Sequence, residues 1–177
     1  MPAITEKIAK FTPRVLPASE AEAWASSARH VIQIPLTDAA IATLVRLALG
    51  EFAPVTGFLD EADYLSVLLD GKLRDGTPLA FPPTLAITET QRAEITRGQL
   101  VALTDLAGAL VGRLEVRSIY PRREHAESLA RRGASSSQRR GAVRRTWLLG
   151  GGIDILPGLL CGPAKPAVEE LFPWGLS

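Results

Sequence analysis

The 177-residue sequence predicts an α+β fold in which helices at the N-terminal end feed a barrel-like sheet of short strands. Apolar residues recur at helical spacing between Thr37, a good cap residue, and Gly50, a typical helix end. Residues 110–120 instead alternate between apolar and charged side chains, as at Leu114 and Glu115. That alternation indicates a sheet with one face in the core and one face in water.

The predicted helices have recognisable boundaries. The first covers about residues 20–29, because Ser19 and Glu22 form a capping-box pattern. The second runs from Thr37 to Gly50 and the third from Asp60 to Gly71, each with a side-chain cap at its start and a glycine at its end. The apolar face of the third helix is expected to consist of Tyr64, Leu65, Leu68 and Leu69.

The predicted strands are short and separated by turns rich in glycine and proline. They cover residues 31–35, 78–81, 84–88, 99–104, 110–120, 146–149 and 153–156. Short helical turns are expected at 88–95 and after Pro121, and Asp75–Gly76 is a strong turn signal. Gly150–Gly152 is expected to form a tight turn between the last two strands. It does not resemble a phosphate-binding loop, because no helix is predicted to follow it.

Composition indicates one soluble domain. Hydrophobic residues make up 46% of the chain and charged residues 22%, which is ordinary for a globular protein. The single cysteine, Cys161, excludes an intramolecular disulfide, and neither an apolar leader nor an apolar run of membrane-spanning length is present, so a cytoplasmic protein is expected. The predicted organisation is a single domain over 1–177, with an N-terminal arm at 1–17, a flexible loop at 133–141 and a Pro-rich apolar tail at 157–177.

The stretch from Gly50 to Tyr64, GEFAPVTGFLDEADY, carries a resemblance to a known family. The pattern LGxFxPxTGF followed by DY resembles the start of the N-terminal PUA-like domain of ATP sulfurylase (sulfate adenylyltransferase). Further landmarks follow in the family's order, namely LRDGTPL, Pro83–Leu85, Val101–Leu103 with Asp105, and Leu149–Gly151. The resemblance covers about residues 46–156 and implies a PUA-like β pseudo-barrel.

The departures from the family concern the chemistry. In ATP sulfurylases, nucleotide and sulfate are handled by a following catalytic domain with Q-x-R-N-P, H-x-x-H and G-R-D motifs. This sequence has no asparagine, and its two histidines, His30 and His125, are far apart. Residues 139–143 read RRGAV where the family usually has H-P-G-V. The resemblance therefore implies a stand-alone domain, non-catalytic on its own, that acts as a binding or accessory module in sulfate activation.

An arginine-rich segment is the candidate binding surface. Residues 122–145 contain eight arginines against Glu124 and Glu127, a local formal charge of +6, which leaves −5 for the rest of a chain whose total is +1. The candidates for anion or nucleic-acid binding are Arg122, Arg123, Arg131, Arg132, Arg139, Arg140, Arg144 and Arg145. A solvated loop is the alternative. Only Tyr120 and Trp147 flank the segment, which weakens the case for a base-stacking platform.

The remaining polar residues are interpreted as structural. Asp60, Glu61 and Asp63 suit capping of a helix better than metal binding, and neither His30 nor Cys161 has a catalytic partner at a suitable spacing. No catalytic residue, metal ligand or cofactor is predicted. Three functions stay open: an accessory module of sulfate activation, an RNA- or polyanion-binding module, and the accessory subunit of a split sulfate adenylyltransferase with a catalytic-domain partner.

The apolar tail suggests a further contact. It contains Leu159, Leu160, Leu171, Phe172 and Trp174, which is much apolar surface to leave in water. The tail is therefore expected to pack on its own domain or to form a homodimer with a second copy.

Overall fold

The computed structural model describes residues 11–130 and 143–161, which form a six-stranded mixed sheet with helices around it. The helices are α1 (Ala18–Ser27), α2 (Asp38–Ala48), α3 (Glu61–Asp70), α4 (Glu89–Glu94), α5 (Glu124–Ala130) and α6 (Gly158–Cys161), with a 3₁₀ turn at Ala28–His30. The strands are β1 (Gln33–Pro35), β2 (Gly57–Phe58), β3 (Leu85–Ile87), β4 (Leu100–Thr104), β5 (Leu110–Pro121) and β6 (Trp147–Ile155). The predicted α+β class is confirmed.

Strand β6 is the centre of the sheet. One edge pairs antiparallel with β5, and the other edge pairs in turn with β3 and β2 and, through a bridge to Ile155, with Val15. Strand β4 adds to the far edge of β5 and β1 lies parallel beyond it, giving the order β1-β4-β5-β6-β2. Within the described residues the sheet is open, because β1 and β2 lie at opposite ends of this order and do not pair with each other.

The glycines Gly150–Gly152 lie inside β6, so the prediction of a tight turn between two strands is wrong. They are needed because neighbouring backbones come closer than a side chain allows. A Cβ on Gly151 would lie 1.9 Å from the carbonyl oxygen of Glu115, and a Cβ on Gly57 would lie 2.0 Å from the carbonyl oxygen of Gly151. The strands can therefore approach each other this closely only because these positions carry no side chains.

The caps of α2 and α3 are confirmed. The Thr37 side chain accepts a hydrogen bond from the amide of Ala40, and the Asp60 side chain accepts one from the amide of Asp63. Gly50 and Gly71 follow these helices with φ of +88° and +67°.

The cap predicted for α1 is wrong. Ser19 lies inside the helix, which begins at Ala18 after Pro17 and has no side-chain cap. Pro17 is itself the N-cap residue: its carbonyl accepts the first helical hydrogen bond, from the amide of Ala21 at 2.9 Å, and it has no side-chain oxygen with which to cap the helix.

Two further expectations are corrected. Leu69 is 78% exposed, and Val67 is buried beside Tyr64 instead, because these two residues lie three apart on the face that meets the second core cluster. Residues 78–81 do not form a strand and contribute only a bridge from Pro78 to Lys72. Prolines in and after this stretch lack the N–H that a ladder needs.

In the part of the chain that the structure describes, the core has a large cluster and two smaller ones. The large cluster packs α2, through Leu44 and Leu47, against the strands, and the beginning of the tail, at Leu159 and Leu160, packs against it. The second cluster contains Tyr64, Tyr120, Leu59, Val67, Leu73 and Leu148. The third joins Leu16, Trp24, Ala28 and Ala102.

The predicted division into arm, domain, loop and tail stays a prediction. Residues 1–10, 131–142 and 162–177, which hold most of the arm, all of the loop and most of the tail, lie outside the described residues. Across residues 11–130 and 143–161, no helix is long and apolar enough to cross a membrane.

Candidate functional site

The arginine-rich segment is described only at its two ends. Arg122 and Arg123 lie between β5 and α5, and Arg144 and Arg145 precede β6. The amide of Arg122 donates to the carbonyl of Thr146 over 2.8 Å, so the two ends run side by side. The other four candidates, Arg131, Arg132, Arg139 and Arg140, lie outside the described residues.

Arg122 is engaged within the protein. Its guanidinium donates to both carboxylate oxygens of Glu127, with Nη2–Oε2 at 2.7 Å and Nε–Oε1 at 3.1 Å. Glu127 is 7% exposed, although it is a carboxylate on a seven-residue helix. The hydrogen bonds to Glu127 raise the pKa of the Arg122 guanidinium. The pair is thus a structural ion pair on the border of the core.

Tyr64 completes this arrangement. Its hydroxyl donates to Oε1 of Glu127 over 2.8 Å and accepts from the amide of Arg123 over 3.0 Å. We call Tyr64, Arg122, Arg123 and Glu127 the Glu127 cluster. The Tyr64 ring packs against that of Tyr120 at 5.4 Å, and burial raises the pKa of both phenols above the ordinary value of 10.0.

Arg123 and Arg144 direct their charges to solvent. Their side chains are 52% and 78% exposed, and their carboxylate neighbours, Glu61 and Glu124, lie 3.9 and 4.0 Å away. Exposed pairs at such distances contribute little to stability. Arg145 is half-buried. The assignment of the eight arginines to anion or nucleic-acid binding stays a prediction.

The two aromatic residues near the segment already have partners in the protein. Tyr120 is buried, and its hydroxyl donates to the carbonyl of Leu59 over 2.7 Å. The guanidinium of Arg92 lies 4.9 Å from the centre of the Trp147 ring, and the Trp147 indole nitrogen donates to the carboxylate of Glu89. One face of the Trp147 ring is therefore covered by a cation.

Between the described residues, two open clefts lie where β5 and β6 meet. The first, of about 420 Å³, is bounded by the turn at 54–60, by Arg117 and Ser118 at a bulge in β5, and by Gly150–Gly152. The second, of about 400 Å³, shares Gly152 and is also lined by Arg14, Gly98, Leu100, Arg113, Glu115 and Asp154. The alternating charges of β5 were the sequence signal for this surface, but the clefts depend on segments far apart in the chain.

The arginines at these clefts are matched with carboxylates. Asp154 binds both Arg14 Nη2 at 2.9 Å and Arg113 Nε at 3.0 Å. Arg117 pairs with Glu115 at 3.2 Å. Arg113 also lies 3.5 Å from the carboxylate of Glu20. Three carboxylates thus face the three cleft arginines and leave no excess of positive charge among them.

Structural roles were predicted for Asp60, Glu61, Asp63 and His30. Asp60 caps α3, and Arg74 pairs with both Asp60 and Asp63 at 3.1 Å. His30 and His125 are exposed on different elements. In the described ranges, no group of three or more His, Cys, Asp or Glu residues is placed to hold a metal ion.

Known proteins resemble the chain over most of its length. A family model for the PUA-like domain matches residues 4–157. Sulfate adenylyltransferase of Synechococcus elongatus is 33% identical over 120 residues, which cover 68% of this chain and 30% of that protein. The enzyme of Deinococcus radiodurans is 38% identical over 96 residues, which cover 54% of this chain and 24% of that protein. The chain thus spans less than a third of the curated relatives that it matches.

A solved structure shows the same fold. A hexameric APS kinase from Thiobacillus denitrificans superposes with a TM-score of 0.64 over 93% of this chain and 30% of that chain, at 21% sequence identity. The family model and the fold agree with the motifs of Gly50–Tyr64. The chain belongs to the PUA-like domain family.

Proposed function

We propose that this PUA-like domain is a non-catalytic accessory module of sulfate activation that binds a sulfate adenylyltransferase catalytic domain. Its similarity to sulfate adenylyltransferases supports this, because the matched part makes up about 30% of the Synechococcus elongatus enzyme. The family resemblance implies that the nucleotide- and sulfate-handling motifs of such enzymes lie outside the part that this chain matches.

The pairing of the cleft arginines carries the non-catalytic part of the proposal. Adenylyl transfer needs preorganised positive groups that stabilise the charge developing on the phosphates. At the two clefts, Arg113 and Arg117 face Asp154 and Glu115 instead. A phosphate group would have to displace these carboxylates before it could bind the arginines. Even then, an attraction between arginine and phosphate that is equal in the ground and transition states would not increase the rate for a bound substrate.

The first experiment measures turnover by the purified chain. With ATP and sulfate, we expect no adenylyl sulfate and no pyrophosphate above a buffer blank, whereas a full-length sulfate adenylyltransferase under the same conditions gives both. Turnover by the chain that disappears in an Arg113→Ala, Arg117→Ala double variant would show that the clefts carry chemistry and would overturn the non-catalytic assignment.

The second experiment measures binding of the partner. A sulfate adenylyltransferase catalytic domain, produced without its own PUA-like domain, is mixed with the chain and examined by size-exclusion chromatography and calorimetry. We expect a complex with the isolated catalytic domain and none with the full-length enzyme, whose own domain occupies the contact surface. Activity that rises on mixing supports the split-enzyme form of the proposal, and the absence of a complex would contradict the accessory role.

A further inference from the structure

Among the described residues, helix α5 is attached to the rest of the protein mainly through one carboxylate. Glu127 is its only buried residue, whereas Leu129, its one large apolar side chain, is 65% exposed. The carboxylate of Glu127 reaches α3 through Tyr64 and the end of β5 through Arg122. A helix of seven residues has little stability of its own, so these polar contacts determine whether it stays docked.

The packing beneath α5 is incomplete. A cavity of about 40 Å³ lies between α5, α3 and residues 80–84, and it is lined by Glu127 and Ala130 on one side and by Val67, Leu68 and Phe81 on the other. Side chains around a void lose dispersion contacts that a filled interface would provide. Little apolar burial therefore opposes separation of the helix from α3.

We propose that α5 is a flap that opens as a unit, held shut by the Glu127 cluster, while the sheet stays folded. Regions with few buried apolar contacts open with a lower free energy than the core. Strands β5 and β6 have the opposite character, because Leu114, Tyr120 and Leu148 are buried in them. The two regions are thus expected to open independently.

Opening changes the charge that the surface presents. In the closed state the Arg122 guanidinium is neutralised by Glu127, and its side chain is 27% exposed. Release of the flap frees this guanidinium next to Arg123, which already faces solvent. The Glu127 cluster thereby couples the position of α5 to the positive charge at the described start of the arginine-rich segment.

Native-state hydrogen exchange of the full chain at low denaturant tests the flap. We expect the amides of residues 127–130 to exchange at least about 10-fold faster than the slowest amides of β5 and β6, by an opening that depends weakly on denaturant. Exchange of both groups with the same free energy and the same denaturant dependence would show that α5 opens only on global unfolding and would overturn the proposal.

A matched pair of variants tests the cluster. Glu127→Gln removes the charge that holds Arg122, so exchange at residues 127–130 should rise by about 10- to 100-fold while β5 and β6 keep their protection. Glu124→Gln removes the same charge from an exposed position of the helix and should change exchange by less than about 3-fold. Equal loss of protection in α5 and the sheet, or equal effects of the two variants, would contradict a local role for Glu127.

Discussion

Strand β6 and helix α5 are held in place by opposite means. The middle of β6 is a run of glycines whose backbone lies against the backbones of β5 and β2. Helix α5 is held against α3 and the end of β5 mainly by the side chain of Glu127. The comparison teaches that the centre of this domain depends on the absence of side chains and its periphery on one specific side chain. Damage should spread through the whole domain in the first case and remain local in the second.

The largest effect is expected from Gly151→Ala. The new Cβ would lie 1.9 Å from the carbonyl oxygen of Glu115, and backbone cannot move away without breaking the β5–β6 ladder. We expect the free energy of unfolding to fall by about 3 kcal/mol or more, or the protein to fail to fold. Chemical denaturation monitored by circular dichroism measures this.

Gly152→Ala is the matched control in the same strand. There the nearest atom to a new Cβ is Nη2 of Arg117, at 3.5 Å, which is an ordinary contact with a flexible side chain. The change in unfolding free energy should be about 1 kcal/mol or less. If the two variants were equally stable, the close approach of backbones would not explain the glycines of β6.

The second effect depends on pH and involves the two tyrosines that link the core to the Glu127 cluster. Burial raises the pKa of Tyr64 and Tyr120 above their ordinary value of 10.0, so the native state holds these protons while the unfolded chain loses them. Stability contributed by the protonated phenols is complete below pH 10.0 and is lost as the pH rises toward the folded pKa values. The loss is up to about 1.4 kcal/mol per pH unit for each tyrosine.

Ultraviolet absorbance of phenolate checks this prediction. The chain has only these two tyrosines, so no phenolate should form in the folded protein near pH 10, and both should ionise together when the protein unfolds. Tyr64→Phe and Tyr120→Phe should each remove about half of the pH dependence. Phenolate that appears at pH 10 while the circular dichroism is still native would contradict the role of burial.

Features that depend on neighbouring residues were predictable from the sequence. Thr37 and Asp60 cap their helices through amides three residues away, and Gly50 and Gly71 end the same helices. Both partners of each capping contact therefore lie within one short stretch of sequence. The PUA-like fold was predictable for another reason, because the motif of Gly50–Tyr64 is a family signature.

Features that depend on distant residues were not predictable. In the sequence alone, Gly150–Gly152 has the composition of a turn. Its glycines are explained only by the close approach of β2 and of the bulge in β5. These contacts join residues far apart in the chain, up to 95 residues in the pair Gly57 and Gly152. One partner of Glu127 is Tyr64, 63 residues earlier. A signal was present, since Arg122 and Glu127 lie five apart beside a predicted helix, but it could not show that the pair is buried.

A smaller effect is expected from Asp154→Asn, which tests whether any part of β6 depends on side chains. Asp154 is 17% exposed and binds two guanidiniums, those of Arg14 and Arg113. Losing the charge should cost about 1 to 3 kcal/mol. Glu115→Gln, on the exposed pair with Arg117, is the control and should cost about 0.5 kcal/mol or less. Thermal denaturation of both variants measures these losses of stability. Equal losses in the two variants would show that the end of β6 at Asp154 does not depend on side-chain contacts more than an exposed pair does.

The smallest effect on stability is expected from the double variant Arg123→Ala, Arg144→Ala, which removes the exposed charges beside α5. Both side chains face solvent at long distances from their carboxylates, so the unfolding free energy should change by about 0.5 kcal/mol or less. Arg122→Ala is the contrasting variant, because it leaves Glu127 buried without its main partner and should destabilise α5 clearly.

The same double variant separates the two interpretations of the arginine-rich segment. Polyanion binding predicts that the unmodified chain binds heparin with an affinity that falls steeply with salt, since phosphate-like contacts release counterions, and that the variant binds more weakly at equal stability. A solvated segment predicts no measurable binding at low salt by either protein. Because the double variant is expected to leave the fold intact, a loss of heparin binding can be assigned to the missing charges. A second double variant, Arg139→Ala with Arg140→Ala, extends the test to arginines outside the described residues.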